Sequence, residues 1–369
     1  SGNQVSLQLL KTLTFARVSQ SDLSQALTSM KLPVNEKSMA IAKGLVEFQL
    51  PLTPKNVQDF TRLMSSLPRP MTPTDMAAAS FLKMARLPMT PANVKLLSSF
   101  IAKHPMLGEQ LFSIQKDPGA EATTKETSDR EVMLEDIRGN LRNYIVDPRK
   151  QQREAMAKNL RNLAGEEGIE KLEYNGFGGS DLEDSWQLMK LTRQLQNLPL
   201  EGLSREEAAN RQKALGLLKE MGENLGAHQL INRGKIVESD LAFYYFQVPF
   251  KLNDEETTVE IRIKYHNEED EKVVDPENTH IEFDVTTENL GDMHVDLKVR
   301  NAVVSLEINN WSGELAEFME RFIPSLRQNI KNMGYKPGLF KTGVLDEMQR
   351  RGLISKLDMD SMEKIDVQA

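Results

Sequence analysis

The sequence predicts a multi-domain α+β protein with N-terminal all-α short helical repeats, a middle α-helical region and a C-terminal antiparallel sheet of about five strands covered by a helix. Two patterns indicate this organisation. A short proline-containing motif recurs every 18 or 19 residues in the first third of the chain. From about residue 243, apolar residues alternate with polar ones, which is the spacing of β-strands. A chain of 369 residues is also long for a single core, so we expect more than one domain.

The repeated motif has the chemistry of a helix start. Each copy ends in Thr-Pro or the equivalent Asn-Glu, and the Thr or Asn side chain can cap the free N–H groups of a helix. Proline fits the first helical position, because its missing N–H group is not needed there. We therefore predict four helices that begin at equivalent residues of the four copies: Glu36, Pro54, Pro73 and Pro91.

Apolar residues follow each predicted start at a constant helical spacing. The residues six and nine positions after each start are apolar in all four copies: Ala42 and Leu45, Phe60 and Leu63, Ala79 and Leu82, Leu97 and Phe100. One face of each helix is therefore expected to be buried, and residues 1–116 are predicted to form an α-helical repeat domain. The methionines of this region are interpreted as core filler, with a partner-binding groove as the alternative.

Composition divides the rest of the chain. Residues 117–130 have no apolar period and are predicted to be a linker, followed by an α-helical region over residues 131–237. Residues 238–338 are predicted to form a C-terminal α+β module. Residues 339–369 are predicted to be a flexible tail.

Five segments of the C-terminal module alternate between apolar and polar residues, and the short connections between them favour an antiparallel sheet. These segments are residues 244–250, 259–265, 281–285, 293–299 and 304–308. A helical stretch from Gly313 to Met333 carries an apolar stripe that would cover the apolar face of the sheet. We expect a kink or break in it at Pro324.

Composition also excludes several classes of function. The chain has no cysteine, which excludes disulfides and thiol catalysis and fits a reducing compartment or passage through a pore in an unfolded state. No apolar run approaches the roughly 20 residues of a membrane span, so no membrane insertion is expected. The net charge of −8 argues against a nucleic-acid partner. Residues 1–116 are basic, which an acidic partner or ordinary solvated helix faces would explain equally well.

Signals of catalysis or ligand binding are weak. The five histidines are isolated in sequence. The acidic segment 266–271 lacks the ligand spacing of a calcium loop and is interpreted as a hairpin tip. The glycine-rich segment 176–179 lacks the lysine of a phosphate-binding loop. Trp186 and Trp311 are interpreted as core residues. We therefore predict no enzyme, no catalytic residue, no cofactor and no metal site.

The connection between the third and fourth predicted strands is distinctive. Together with the strand that follows, it contains in order Val285, Thr287, Leu290, Gly291, Met293, Val295 and Leu297. This order resembles the pattern Leu-x-Pro-x-x-Leu-Gly-x-Val-x-Val in the C-terminal domain of flagellar hook-length control proteins. The strand at 303–308 and the helix at 315–333 also suit that domain. Thr287 departs from the pattern, because the family usually has proline there.

The resemblance implies a protein made in the cytoplasm and exported through the flagellar type III apparatus. Its N-terminal part would measure or time hook growth, with hook or hook-cap proteins as further candidate partners. Its C-terminal domain would bind the cytoplasmic domain of the flagellar export-gate membrane protein, and so switch export from hook-type to filament-type substrates. Leu290, Gly291, Val295 and Leu297 are the predicted contact residues. The alternative is that these four residues serve only the turn and core of the domain.

A cytoplasmic adaptor or scaffold is the second hypothesis for the function. Such a protein would bind its partners through the helical repeat array, and the C-terminal module would be only structural. Export separates the two hypotheses, because an adaptor stays inside the cell.

Overall fold

The computed structural model describes residues 19–48, 50–116, 205–236, 242–252, 255–268 and 271–345. The predicted linker, most of the predicted middle helical region, the glycine-rich segment and Trp186 lie outside these residues, as does the predicted tail from residue 346 onward. Within the described residues the N-terminal part is helical and the C-terminal part contains the sheet, so the predicted α+β class is confirmed.

The helices of the N-terminal part begin where the repeat predicts. They are α1 Gln20–Ser29, α2 Glu36–Glu47, α3 Pro54–Ser66, α4 Pro73–Met84, α5 Pro91–Lys103 and α6 Leu107–Lys116. The four predicted starts are the first residues of α2 to α5, and each preceding Asn or Thr side chain accepts a hydrogen bond from the backbone N–H three residues on. Local capping chemistry therefore fixes these four boundaries.

Two copies of the repeat also share a hydrogen bond between an asparagine side chain and the loop before the helix. Asn56 Nδ2 donates to the carbonyl of Pro51 at 2.7 Å, and Asn93 Nδ2 donates to the carbonyl of Pro88 at 2.9 Å. Both asparagines are buried and join the loop before a helix to its first turn. Asp75 takes the same position in the copy between them, where its carboxylate can only accept hydrogen bonds.

The predicted apolar faces are buried. All eight residues at the sixth and ninth positions after the helix starts are at most 3% exposed. Their core continues into α7, Arg205–Arg233, and into the first strand of the sheet, through residues such as Leu230, Phe243 and Tyr245. Among the described residues, these helices and the first strand of the sheet therefore share one hydrophobic core.

The sheet contains the five predicted strands and a sixth. Its order is β1-β2-β5-β6-β7-β8, and the neighbouring hairpin β3-β4 forms at the predicted tip. The strands are β1 Phe243–Leu252, β2 Glu255–Lys264, β3 His266–Glu268, β4 Glu271–Val273, β5 His280–Thr287, β6 Gly291–Arg300, β7 Val303–Asn310 and β8 Lys336–Val344.

Strand β8 corrects two predictions. It pairs parallel to β7, whereas the other pairs are antiparallel, so the sheet is mixed. The predicted flexible tail is wrong for residues 339–344, which lie in β8. Pro337, Gly338 and Gly343 interrupt the alternation of apolar residues in this strand, which is why its sequence does not predict it.

Two short helices connect β7 to β8. They are α8 Gly313–Glu320 and α9 Ile323–Asn332, and they pack on β7 and β8. The break between them, at Arg321 and Phe322, comes just before Pro324 and confirms the expected interruption. Because α9 is a separate helix from α8, a single apolar stripe cannot face the sheet from Gly313 to Met333.

The helical layer docks on the polar face of β1 and β2 through buried hydrogen bonds. Glu260 of β2 is at the centre: its Oε1 lies 2.7 Å from His104 Nε2 and also accepts the hydroxyl hydrogen of Tyr245. Burial raises the pKa of the Glu260 carboxyl, but the hydrogen bonds from His104 and Tyr245 and the charge of His104 outweigh it, so its pKa lies below the usual range. Glu260 is therefore a charged acceptor between the two layers.

The start of α6 is held by the same two strands. The N–H of Leu107 donates to Gln247 Oε1 at 2.9 Å, and the N–H of Gly108 donates to Thr258 Oγ1 at 3.0 Å. A Cβ atom at Gly108 would lie only 2.4 Å from that hydroxyl oxygen. The free N–H groups of a helix start thus find their acceptors on the sheet, which fixes how closely α6 approaches it.

We expect Asn93→Ala to lower the free energy of unfolding by about 1–3 kcal/mol, because it leaves the Pro88 carbonyl without its buried donor. Urea denaturation measures this change. Asn289→Ala is the matched control: its side chain is exposed in the β5–β6 turn, and we expect a change within about 0.5 kcal/mol. Equal effects of the two substitutions would contradict a structural role for the loop bond.

Candidate protein-interaction surface of the C-terminal module

The turn between β5 and β6 has a defined geometry. Gly291 has a φ of +62°, a conformation that glycine adopts without strain. The N–H of Leu290 donates to Thr287 Oγ1 at 3.0 Å. Thr287, which stands where the resembling family has proline, therefore holds the turn with its hydroxyl instead of a rigid ring.

Trp311 packs directly against Gly291. A Cβ atom at position 291 would lie 2.5 Å from Nε1 and 2.6 Å from Cδ1 of the indole, so only glycine permits this contact. The Trp311 side chain is nevertheless 56% exposed. The prediction that Trp311 is a core residue is therefore wrong: it follows β7 at the end of the sheet, where its side chain contacts the turn and stays exposed.

Val295 and Leu297 lie elsewhere, in the middle of the apolar face of the sheet. Val295 stands between Phe283 of β5 and Ile308 of β7, and Leu297 takes the corresponding place two residues further along β6. Both are half-buried. The structure thus brings Leu290 and Gly291 together with Trp311 at one end of the sheet and places Val295 and Leu297 apart from them. Whether the four residues contact a partner stays a prediction.

Exposed apolar side chains concentrate around α8, α9 and β8. Of the eight large hydrophobic residues that are exposed in the described part of the chain, six lie between residues 311 and 344: Trp311, Phe318, Phe322, Met333, Leu339 and Val344. We call these six residues, which are close together in the sequence, the apolar patch. Phe318 and Phe322 contact each other edge to face, with ring centroids 5.2 Å apart. Clustering of exposed apolar residues is typical of protein-interaction sites.

Three members of the apolar patch were expected to be covered. Phe318, Phe322 and Met333 belong to the stripe that predicted a helix lying over the sheet, and the structure leaves all three exposed. The break at Arg321 and Phe322 redirects the second helix, none of whose residues is buried. The change in the spacing of apolar residues, from alternating to helical, predicts helices here. It does not predict the change of direction between α8 and α9.

The polar face of β5 and β6 carries ion pairs rather than an apolar patch. Arg262 contacts Glu282 at 2.7 Å and Asp284 at 2.5 Å, and His280 contacts Asp296 at 2.8 Å. Burial alone would raise the pKa of the Asp296 carboxyl, but hydrogen bonds from His280 and Lys298 lower it to about 2. These ion pairs join neighbouring strands of the sheet.

The weaker sequence signals have structural outcomes. Within the described ranges no three His, Asp or Glu side chains are grouped closely enough to hold a metal ion. No helix among the described residues is long and apolar enough to cross a membrane. A small cavity of about 90 Å³ lies between α5, α6 and α7, well below the size of ordinary ligand pockets.

We expect Gly291→Ala to lower the free energy of unfolding by about 1–3 kcal/mol, because its φ is unfavourable for alanine and the new methyl group collides with Trp311. Thermal or urea unfolding measures it, and the loss of contact should also change Trp311 fluorescence. Gly313→Ala is the control, since nothing lies within 4 Å of the added atom and its φ is not in the positive region. A Gly291→Ala protein as stable as the control variant would contradict the described packing.

Comparison with protein families gives a match in the C-terminal part of the chain. Residues 267–350 match the family model of the flagellar hook-length control protein FliK. No curated protein and no solved structure matches the chain. The matched residues begin at the β3–β4 hairpin and include the β5–β6 turn, both short helices, β8 and the whole apolar patch. Residues 267–350 are therefore similar to the domain of flagellar hook-length control proteins, which confirms the resemblance seen in the sequence.

Proposed function

We propose that this protein controls the length of the flagellar hook and, when the hook is complete, switches export from hook-type to filament-type substrates. The observation that carries the proposal is the coincidence of the family match with the apolar patch: residues 267–350 contain all six exposed side chains. A control domain with such a surface acts by binding. The mechanism is therefore protein–protein recognition and not covalent chemistry.

The partner in this proposal is the cytoplasmic domain of the flagellar export-gate membrane protein. Contact begins at the end of the sheet where Leu290, Gly291 and Trp311 meet. Tryptophan is among the residues that contribute most to binding energy, because its large side chain becomes desolvated in the interface. In this proposal Val295 and Leu297 support the contact indirectly, because they pack in the face of the sheet that leads to the turn.

Export through a narrow channel sets a physical condition on the proposal. The folded chain must unfold before passage, and the absence of cysteine means that no disulfide opposes unfolding. The N-terminal helices are 10 to 13 residues long, and helices of that length are marginal once separated from their packing. Because these helices share one hydrophobic core, we expect them to unfold together when that core is lost.

We expect Trp311→Ser to weaken binding to the purified cytoplasmic domain of the export-gate protein by at least about tenfold, because removal of an interface tryptophan commonly has an effect of this size. Gly291→Trp, which displaces the indole, should have the same effect. Val34→Ser is the matched control: Val34 is an exposed apolar residue, 47% accessible, outside the matched domain. A titration that gives equal affinity for wild type, Trp311→Ser and Val34→Ser removes this end of the sheet as the contact.

A cytoplasmic adaptor that binds through its helices is the second candidate function. The well-capped helices α2 to α5 support it, because they form a regular series that begins at equivalent residues of the repeat. Secretion separates the two candidates: a hook-length control protein is found outside the cell during hook assembly, whereas an adaptor remains inside. Retention in cells whose export apparatus is active would favour the adaptor.

A further inference from the structure

The two edges of the sheet are treated differently by the fold. At the β1 edge, the side chain of Asn232 in α7 occupies the outward backbone groups of Tyr245: Tyr245 N–H donates to Oδ1 at 2.6 Å, and Nδ2 donates to the Tyr245 carbonyl at 2.8 Å. Four residues on, Pro249 presents no N–H on the same side. An asparagine and a proline thus close this edge to another strand, as is common in natural sheets.

The β8 edge has no such protection. The N–H of Leu345 donates to the carbonyl of Asn310 in β7, so alternation turns the backbone groups of Phe340, Thr342 and Val344 away from β7. In the part of the chain that the structure describes, none of these outward N–H groups finds a backbone or side-chain acceptor. An unpaired edge of this kind is a template for an added strand.

The surroundings of this edge are basic and apolar. Residues 321–345 contain five basic residues and no acidic residue, in a chain whose net charge is −8: Arg321, Arg327, Lys331, Lys336 and Lys341. On β8 itself, Leu339 and Val344 are exposed, and Lys336 and Lys341 are exposed on the same strand. In sequence, Asp346 and Glu347 follow this segment directly, and Glu320 of α8 precedes it and accepts a hydrogen bond from Thr342. A complementary strand would carry acidic and apolar side chains.

Strand β8 is held firmly enough to act as a template. Phe340 is buried, and the guanidinium group of Arg327 lies 4.5 Å from the centre of its ring. Arg327 Nη1 also donates to the carbonyl of Gly338 at 3.0 Å. Helix α9 therefore fixes β8 from one face and leaves its outer edge free.

We propose that the outer edge of β8 binds an extended acidic segment of a partner protein as an added β-strand. Backbone hydrogen bonds to Phe340, Thr342 and Val344 supply the pairing, and acidic side chains meet Lys336 and Lys341. A second copy of this chain is a poor occupant, because two β8 strands would bring lysines against lysines. The site does not depend on the proposed contact at Leu290, Gly291 and Trp311.

Two synthetic ten-residue peptides test the proposal on the full chain. In one, valine alternates with glutamate, and in the other valine alternates with lysine. We expect the acidic peptide to bind at least about tenfold more tightly, with the difference reduced by salt. Amide hydrogen exchange should slow at Phe340, Thr342 and Val344 on binding. The amides of Lys341, Gly343 and Leu345, which face β7, are the internal reference.

Two kinds of variant keep the test independent of folding. Thr342→Pro removes one outward N–H without removing a bond to β7, and Thr342→Ala is its control because it alters only the side chain. The double variant Lys336→Glu, Lys341→Glu leaves the backbone intact and should reverse the preference between the two peptides. Unchanged exchange at the three outward amides, or equal binding of both peptides, overturns the proposal. Dimerisation through β8 in the absence of peptide would overturn it too, in favour of a second copy.

Discussion

The hydrogen bonds to the buried carboxylate of Glu260 are the interaction on which the packing of the helices against the sheet depends. It is buried at the boundary between the helices and the sheet, where it accepts hydrogen bonds from the hydroxyl of Tyr245 and from His104. A charge in such a position is stable only when its partners are present, so the helices must dock where those partners meet it. The hydrogen bonds from the first N–H groups of α6 to Gln247 and Thr258 also require the helices to dock at this position, although these groups are neutral.

This docking divides the sheet into two functional halves. Strands β1 and β2 carry the helical layer, and their outer edge is closed by Asn232 and Pro249. The family match begins after β2, so the matched domain corresponds to the half of the sheet that the described helices α1 to α7 leave accessible. In that half lie the β5–β6 turn, the apolar patch and the open β8 edge. The described helices therefore leave this half of the sheet uncovered.

Sequence reasoning succeeded where structure is decided locally. The starts of α2 to α5 follow from capping residues and proline, and the five antiparallel strands follow from alternation, because both signals lie within a few residues. It failed where the structure depends on contacts between residues that are far apart in the sequence. His104 and Glu260 are 156 positions apart, and no local pattern announces their contact. The exposure of Trp311 depends likewise on the close approach of Gly291, and β8 forms only because the two short helices return the chain beside β7.

The site residues show the same division. The sharp turn at Gly291 was predictable, because glycine after Leu290 is a local signal for positive φ. Trp311 was missed as part of this site, since its sequence neighbours resemble those of an ordinary buried tryptophan. A tryptophan placed immediately before a helix cap at Ser312, beyond the last residue of a strand, was the available signal for a position at the end of the sheet.

The length of the hook, measured by electron microscopy of cells that lack this gene, tests the central claim most directly. If the C-terminal domain controls hook length, these cells form overlong hooks, the full chain restores the normal length, and a chain that ends before α8 does not. Hooks of normal length in the deletion strain would contradict the account.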